Sequence, residues 1–263
     1  MSNFDASKRI FKFISTESIT TIFNVLQNAV RWFYHTKIAR DIIEYKIEIP
    51  SSNEVAYLYL YNKKCLQDNN KIEEVLLFSH GDFSHAYTLL HLARVANALH
   101  IPTFLLNMPH DDLHHNETSQ QLVEKALETI HTLVDKKDGV FKGIILAGHS
   151  KGAIWSAYHA FAKNDPRVTR VVSIAGRLKD IQSADFNERE LLKPILVETL
   201  AAIQSKDRTK TLFQIVPGND AVVPRESMMI TDDHCYIIPN ASHLGVLFHP
   251  QTLQLFKKIL YEN

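Results

Sequence analysis

The sequence predicts an α/β protein built on a mostly parallel sheet of eight strands with helices on both faces. Two observations carry this. Two runs that alternate at period two, Ile42–Ile49 and Val55–Tyr61, flank the turn-rich stretch Pro50-Ser51-Ser52-Asn53 and read as an antiparallel hairpin. From there on, short apolar runs alternate with segments of helical period, which implies parallel strands joined by helices.

The elements follow in order. Val75–Ser79 reads as a buried strand and His85–Leu99 as a helix. Thr103–Asn107 is the next strand and Ser119–Lys136 the next helix. Gly143–Ala147 is a strand, Lys151–Lys163 a helix and Val168–Ile174 a strand. Further strands are expected at Thr211–Val216 and His234–Ile238, with a closing helix over Pro250–Tyr261. Pro250 suits a first helical turn, where its missing N–H is no loss.

Composition narrows the class. Hydrophobic residues make up 45% and charged residues 22% of the 263, as in a globular chain with a sizeable core. Lys+Arg and Asp+Glu both number 29, so no basic balance points to nucleic acid. Cys65 and Cys235 are far apart and lack metal-ligand spacing, and no apolar run approaches the roughly 18 residues of a membrane span. The polar start from Met1 to Arg9 does not read as a signal peptide. The expectation is a cytoplasmic protein with both thiols reduced. Histidine is abundant at 14, and glycine is scarce at 8, so each glycine is expected to answer a local backbone need.

In parallel sheets, ligands sit beyond the carboxyl ends of the strands. Directly after Gly143–Ala147 comes Gly148-His149-Ser150-Lys151-Gly152, a G-x-S-x-G pattern between a strand and a helix. In that context the serine sits on a sharp, strained turn with its hydroxyl exposed, so Ser150 is the expected nucleophile. After the next-to-last strand lies Pro217-Gly218-Asn219-Asp220, and after the last strand Ala241-Ser242-His243. His243 is then the expected base and Asp220 the carboxylate that orients it. The rivals are His249 as base and Asp232 or Asp233 as acid; His249 abuts a helix start, and the two aspartates precede the last strand. An oxyanion needs donors, expected from the backbone at Lys151 and from the loop Ser79-His80-Gly81-Asp82-Phe83, with Asp82 ahead of Phe83. Because both backbones must converge on one oxygen, the Asp82 carboxylate and Lys151 ammonium start close together. Either they form an ion pair tying the two loops, or both side chains point to solvent.

These residues together resemble the α/β-hydrolase superfamily, from about Ile42 onward, and the elbow followed by Val171-Val172-Ser173-Ile174-Ala175-Gly176-Arg177 is similar to single-domain intracellular serine esterases. The resemblance implies a serine hydrolase acting on a small-molecule carboxylic ester or thioester through an acyl-enzyme on Ser150, without cofactor or metal. A serine at the elbow speaks against dehalogenases of this fold, which carry aspartate there. The alternative reading is a non-catalytic binding or scaffolding protein on the same fold.

Three features lie outside this scheme. Residues 177–209 form a small cap-like insertion whose apolar residues Leu191, Leu192, Ile195, Leu196, Val197, Leu200 and Ile203 suit either a lid or a packing helix. His110-Asp111-Asp112-Leu113-His114-His115 reads as a polar loop rim rather than a metal site. Residues 1–41 form an N-terminal extension, with an amphipathic helix from about Ser18 to Arg40 that carries basic and aromatic residues. It reads as packing on the body, with a membrane surface or a partner as the alternative.

Overall fold

The computed structural model describes residues 42–48, 55–67, 72–82, 84–108, 116–134, 141–179, 186–205, 209–230 and 234–261. The expected N-terminal helix, the hairpin turn, the loop carrying His110 to His115, and the rival acids Asp232 and Asp233 lie outside the described residues. The strands are β1 (Ile42–Glu48), β2 (Val55–Tyr61), β3 (Glu74–Ser79), β4 (Thr103–Asn107), β5 (Gly143–His149), β6 (Val168–Ile174), β7 (Thr211–Pro217) and β8 (Cys235–Ile238). They form one sheet of 8 strands in the order β1-β2-β4-β3-β5-β6-β7-β8. β2 runs antiparallel to both of its neighbours, and every pairing from β4 through β8 is parallel.

The helices are α1 (Lys64–Gln67), α2 (Leu90–Ala98), α3 (Asn116–Val134), α4 (Lys151–Ala157), α5 (Phe186–Gln204), α6 (Arg225–Met228) and α7 (Pro250–Tyr261). Strand alternation distributes the sheet's side chains to two cores. Val75 and Leu77 of β3 join α3, α4 and α5 on one face, through Leu127, Trp155 and Leu192. Phe78, one residue on, turns to the other face and meets Phe256 of α7 with ring centroids 5.6 Å apart. Both faces are therefore dry, which is why the central strands read as nearly continuous apolar runs.

Local departures from the expected elements have physical causes. The segment expected as one helix from His85 begins as a 3-10 turn, Ala86–Leu89, because His85 Nδ1 caps the Tyr87 N–H and the Asn107 side chain takes the Ala86 N–H. The helix after Ser150 widens to a π-turn over Tyr158–Ala162, where Lys163 N–H reaches back to the Tyr158 carbonyl at 3.0 Å. Within the 177–209 insertion, Leu192, Ile195, Leu196 and Ile203 of α5 are buried in the same core as Trp155 and Phe161, whereas Val197 is exposed. No disulfide joins Cys65 and Cys235, and no described helix is long and apolar enough to cross a membrane.

Candidate active site

The turn between β5 and α4 departs most from ordinary backbone geometry. Ser150 adopts φ 55° and ψ −123°, a region that L-residues enter only when their surroundings enforce it. The surroundings do so. Ser150 N–H is held by the Ile174 carbonyl of β6 at 2.9 Å, and its own carbonyl already accepts from Ala153 N–H at 3.1 Å. A β-carbon on Gly148 would collide with the Gly152 backbone, and one on Gly152 with the Ser79 and His80 carbonyls. Strand, Ser150 turn and the β3 loop can close on each other only with glycine at both places.

The β3 loop lies directly against the serine. A β-carbon on Gly81 would sit 2.7 Å from Ser150 Cβ and 3.2 Å from its Oγ. Two bonds fix this loop through the fully buried His80: its Nδ1–H donates to the Gly81 carbonyl at 2.7 Å, and its Nε2 accepts the Met108 N–H at 3.0 Å. Those partners dictate one neutral tautomer. Of the two arrangements open to Asp82 and Lys151, the pair is the one present, with Lys151 Nζ 3.5 Å from Asp82 Oδ1. The lysine side chain is only 4% exposed and that of Asp82 30%, so the tie is shielded from water at its lysine end.

Backbone bonds stitch the acid and histidine loops together. Gly218 N–H donates to Ile238 O at 2.8 Å and Asn219 N–H to Ala241 O at 3.0 Å. This brings Asp220 Oδ2 to 2.7 Å from His243 Nδ1, with the carboxylate side chain 1% exposed. Its other oxygen accepts the N–H groups of Val222 and Val223 at 2.8 and 2.9 Å. Burial by itself pushes Asp220 upward, but the His243, Val223 and Val222 hydrogen bonds outweigh it and hold the carboxyl below its ordinary range. An ionised Asp220 accepting from Nδ1–H leaves His243 Nε2 as the basic nitrogen.

His149, at the variable position of the pentapeptide, connects the two halves. Its Nε2–H donates to the His243 carbonyl at 2.9 Å, and the two rings lie 4.8 Å apart. Burial first, and then the nearby His243, push the His149 imidazole down to about 4, so it remains neutral near pH 7. The direct Ser150–His243 hydrogen bond is not formed here. Such bonds are often long in unliganded sites and tighten with substrate.

The rival base His249 is occupied elsewhere, its Nδ1 accepting the Gln251 N–H at the start of α7. Sequence reasoning missed His80 and His149 as organising residues. Their signal was in plain sight: each immediately precedes a residue assigned to the chemistry, Gly81 or Ser150.

No family model matches the sequence, and no curated protein does. Solved structures do. The chain is similar to Est1E from Butyrivibrio proteoclasticus, with a TM-score of 0.60 and 15% identity over 83% of this chain and 98% of that one. Esterase 2 of Thermogutta terrifontis gives a TM-score of 0.61 and 13% identity over 85% and 95%. The fold is that of the α/β-hydrolases. The α/β-hydrolase fold also carries other chemistry: the haloalkane dehalogenase DatA from Agrobacterium tumefaciens matches with a TM-score of 0.60 and 11% identity over 84% and 97%. The reaction must therefore be argued from the residues at the elbow.

Proposed function

We propose that the protein is a serine hydrolase that cleaves a carboxylic ester or thioester through an acyl-enzyme on Ser150. The observation that carries this reading is the 2.7 Å Asp220–His243 contact on loops that flank the strained Ser150 turn. Ser150 Oγ attacks the acyl carbon while His243 Nε2 takes its proton. The tetrahedral oxyanion is received by the backbone N–H of Lys151 and one from the Gly81-Asp82 loop, with Asp82 as its donor. On collapse, the bond from the acyl carbon to the leaving group breaks, and His243 returns the proton to the departing oxygen or sulfur. Water, deprotonated by the same imidazole, then attacks the acyl-enzyme; the acid is released and Ser150 regains its proton. Asp220 holds the productive tautomer and stabilises the imidazolium. Structural neighbours described as esterases support a hydrolase, and serine rather than aspartate at the elbow favours acyl transfer over dehalogenation.

The test is turnover of aryl esters and thioesters of graded acyl length by the full chain and by Ser150→Ala. The substitution removes no core volume and should leave folding intact, while kcat falls by several orders of magnitude, on the order of 10⁶. A variant that retained more than about a tenth of the wild-type rate would remove Ser150 from the mechanism.

A further inference from the structure

The proposed mechanism leaves Arg177 unused. It follows Gly176 just beyond the end of β6, where a β-carbon on Gly176 would lie 3.7 Å from the Ser150 carbonyl and 2.5 Å from Ala153 Cβ. On its other side the guanidinium reaches the acid loop, with Nη2 3.5 Å from the carbonyl of Val222, two residues after Asp220. The chain around it is pinned, since Leu178 and Lys179 both donate their N–H groups to the Ser227 carbonyl, at 3.0 and 2.9 Å. Arg177 therefore stands between the nucleophile turn and the acid loop, at the end of the sheet where ligands of such folds bind.

Among the described residues no carboxylate pairs with Arg177, although Asp165 and Glu74 each have an arginine partner. Its Nε is buried and makes no hydrogen bond. A partly desolvated guanidinium without an anion is costly. The residue whose carbonyl it reaches is apolar and open, Val222 being 58% exposed. A fork of N–H donors beside an exposed apolar residue matches an ester that has a hydrocarbon body and one carboxylate.

Resting on the acyl-transfer reading above, we propose that Arg177 is a specificity-determining residue that binds a free carboxylate on the substrate, so that the preferred esters are monoanions. The carboxylate can belong to the acyl part or to the alcohol part, and two isosteric pairs separate these. For the acyl side, the 4-methylumbelliferyl hemisuccinate is compared with the 4-methylpentanoate. For the alcohol side, O-butyrylglycolate is compared with isobutyl butyrate. In each pair a carboxylate replaces an isopropyl group of the same shape.

The experiment measures kcat/KM for all four esters with the full chain, Arg177→Met and Arg177→Lys. In at least one pair, the anionic-to-neutral ratio should fall by about tenfold or more from wild type to Arg177→Met, the size expected for a charge-assisted pair. Arg177→Lys should retain part of the ratio. Raising the salt from about 20 to about 500 mM should lower wild-type turnover of the preferred anionic ester and spare its neutral partner, a readout that needs no variant to fold. An unchanged ratio in both pairs would overturn the proposal. So would a proportionate loss of both esters in Arg177→Met, which would make Arg177 a brace for the acid loop through Val222. Failure of the underlying reading looks different: none of the four esters would be turned over by the wild type at all.

Discussion

Lowering the pH from 7.5 to 5 should cost the protein about 4 kcal/mol of folding stability, about half of it from His149 and half from His159. Both imidazoles are buried, each 2% exposed. Burial, as the leading cause, brings each of them down from 6.5 to about 4. For His149 the neighbouring His243 adds to the depression, while its bond to the His243 carbonyl and the charge of Asp220 oppose it. For His159, Glu124 and Asp165 oppose the depression, and Arg167, bonded to both of them, limits how much. In the unfolded chain both groups titrate near 6.5, so between pH 6.5 and 4 the unfolded state binds more protons than the folded one. Stability is then fully present above about pH 6.5 and is lost as the pH falls toward 4. At pH 5 the two-pKa expression gives about 2 kcal/mol per histidine. The depressed carboxyls Asp165 and Asp220 act in the same direction but below their ordinary value of 3.8, outside this window. The assay is urea unfolding at pH 7.5, 6.5, 5.5 and 5, with His159→Gln alongside. The wild type should lose about 4 kcal/mol across the series and the variant about 2, whatever their absolute stabilities. A stability flat from pH 7.5 to 5, or an unchanged slope in His159→Gln, would refute the reasoning.

Further outcomes concern the site. His243→Ala should abolish turnover nearly as completely as Ser150→Ala, whereas His249→Ala should be mild, because His249 only caps α7; steady-state rates that reversed this order would relocate the base. Lys151→Met and Asp82→Asn should each lower kcat more than they raise KM, and the double variant should lose less than the sum, since one ion pair underlies both effects. Strict additivity in that cycle would mean that the 3.5 Å contact does not hold the loops in register. His149→Ala should lower kcat about ten- to a hundredfold with Ser150 still reactive, because it frees the His243 loop from the nucleophile turn; unchanged kcat would show that Asp220 alone positions the base.

Much of this architecture is legible in the sequence because its signals are local. Strands such as Thr103–Asn107 and Val168–Ile174 are bounded by abrupt changes in polarity, and both have the expected limits. Asp220 and His243 could be placed because each follows a strand end, and parallel pairing of β7 with β8 sets those ends side by side. What the sequence concealed depends on contacts between distant residues. The bond from His149 to His243 spans 94 positions, and that between His80 and Met108 spans 28. No spacing rule encodes either. The π-turn at Tyr158–Ala162 was hidden because its five residues make only about one turn, too few for a wider period to show. The two short helices, Lys64–Gln67 and Arg225–Met228, are single turns too brief to show any period.

The central claim is that Ser150 is an activated nucleophile. Treating the full chain with a fluorophosphonate probe and locating the adduct by peptide mass spectrometry tests this without knowledge of the substrate. The account predicts one phosphonylated residue, Ser150, with labelling lost in Ser150→Ala and greatly slowed in His243→Ala. An intact protein that resists the probe, or an adduct on any other residue, would contradict it.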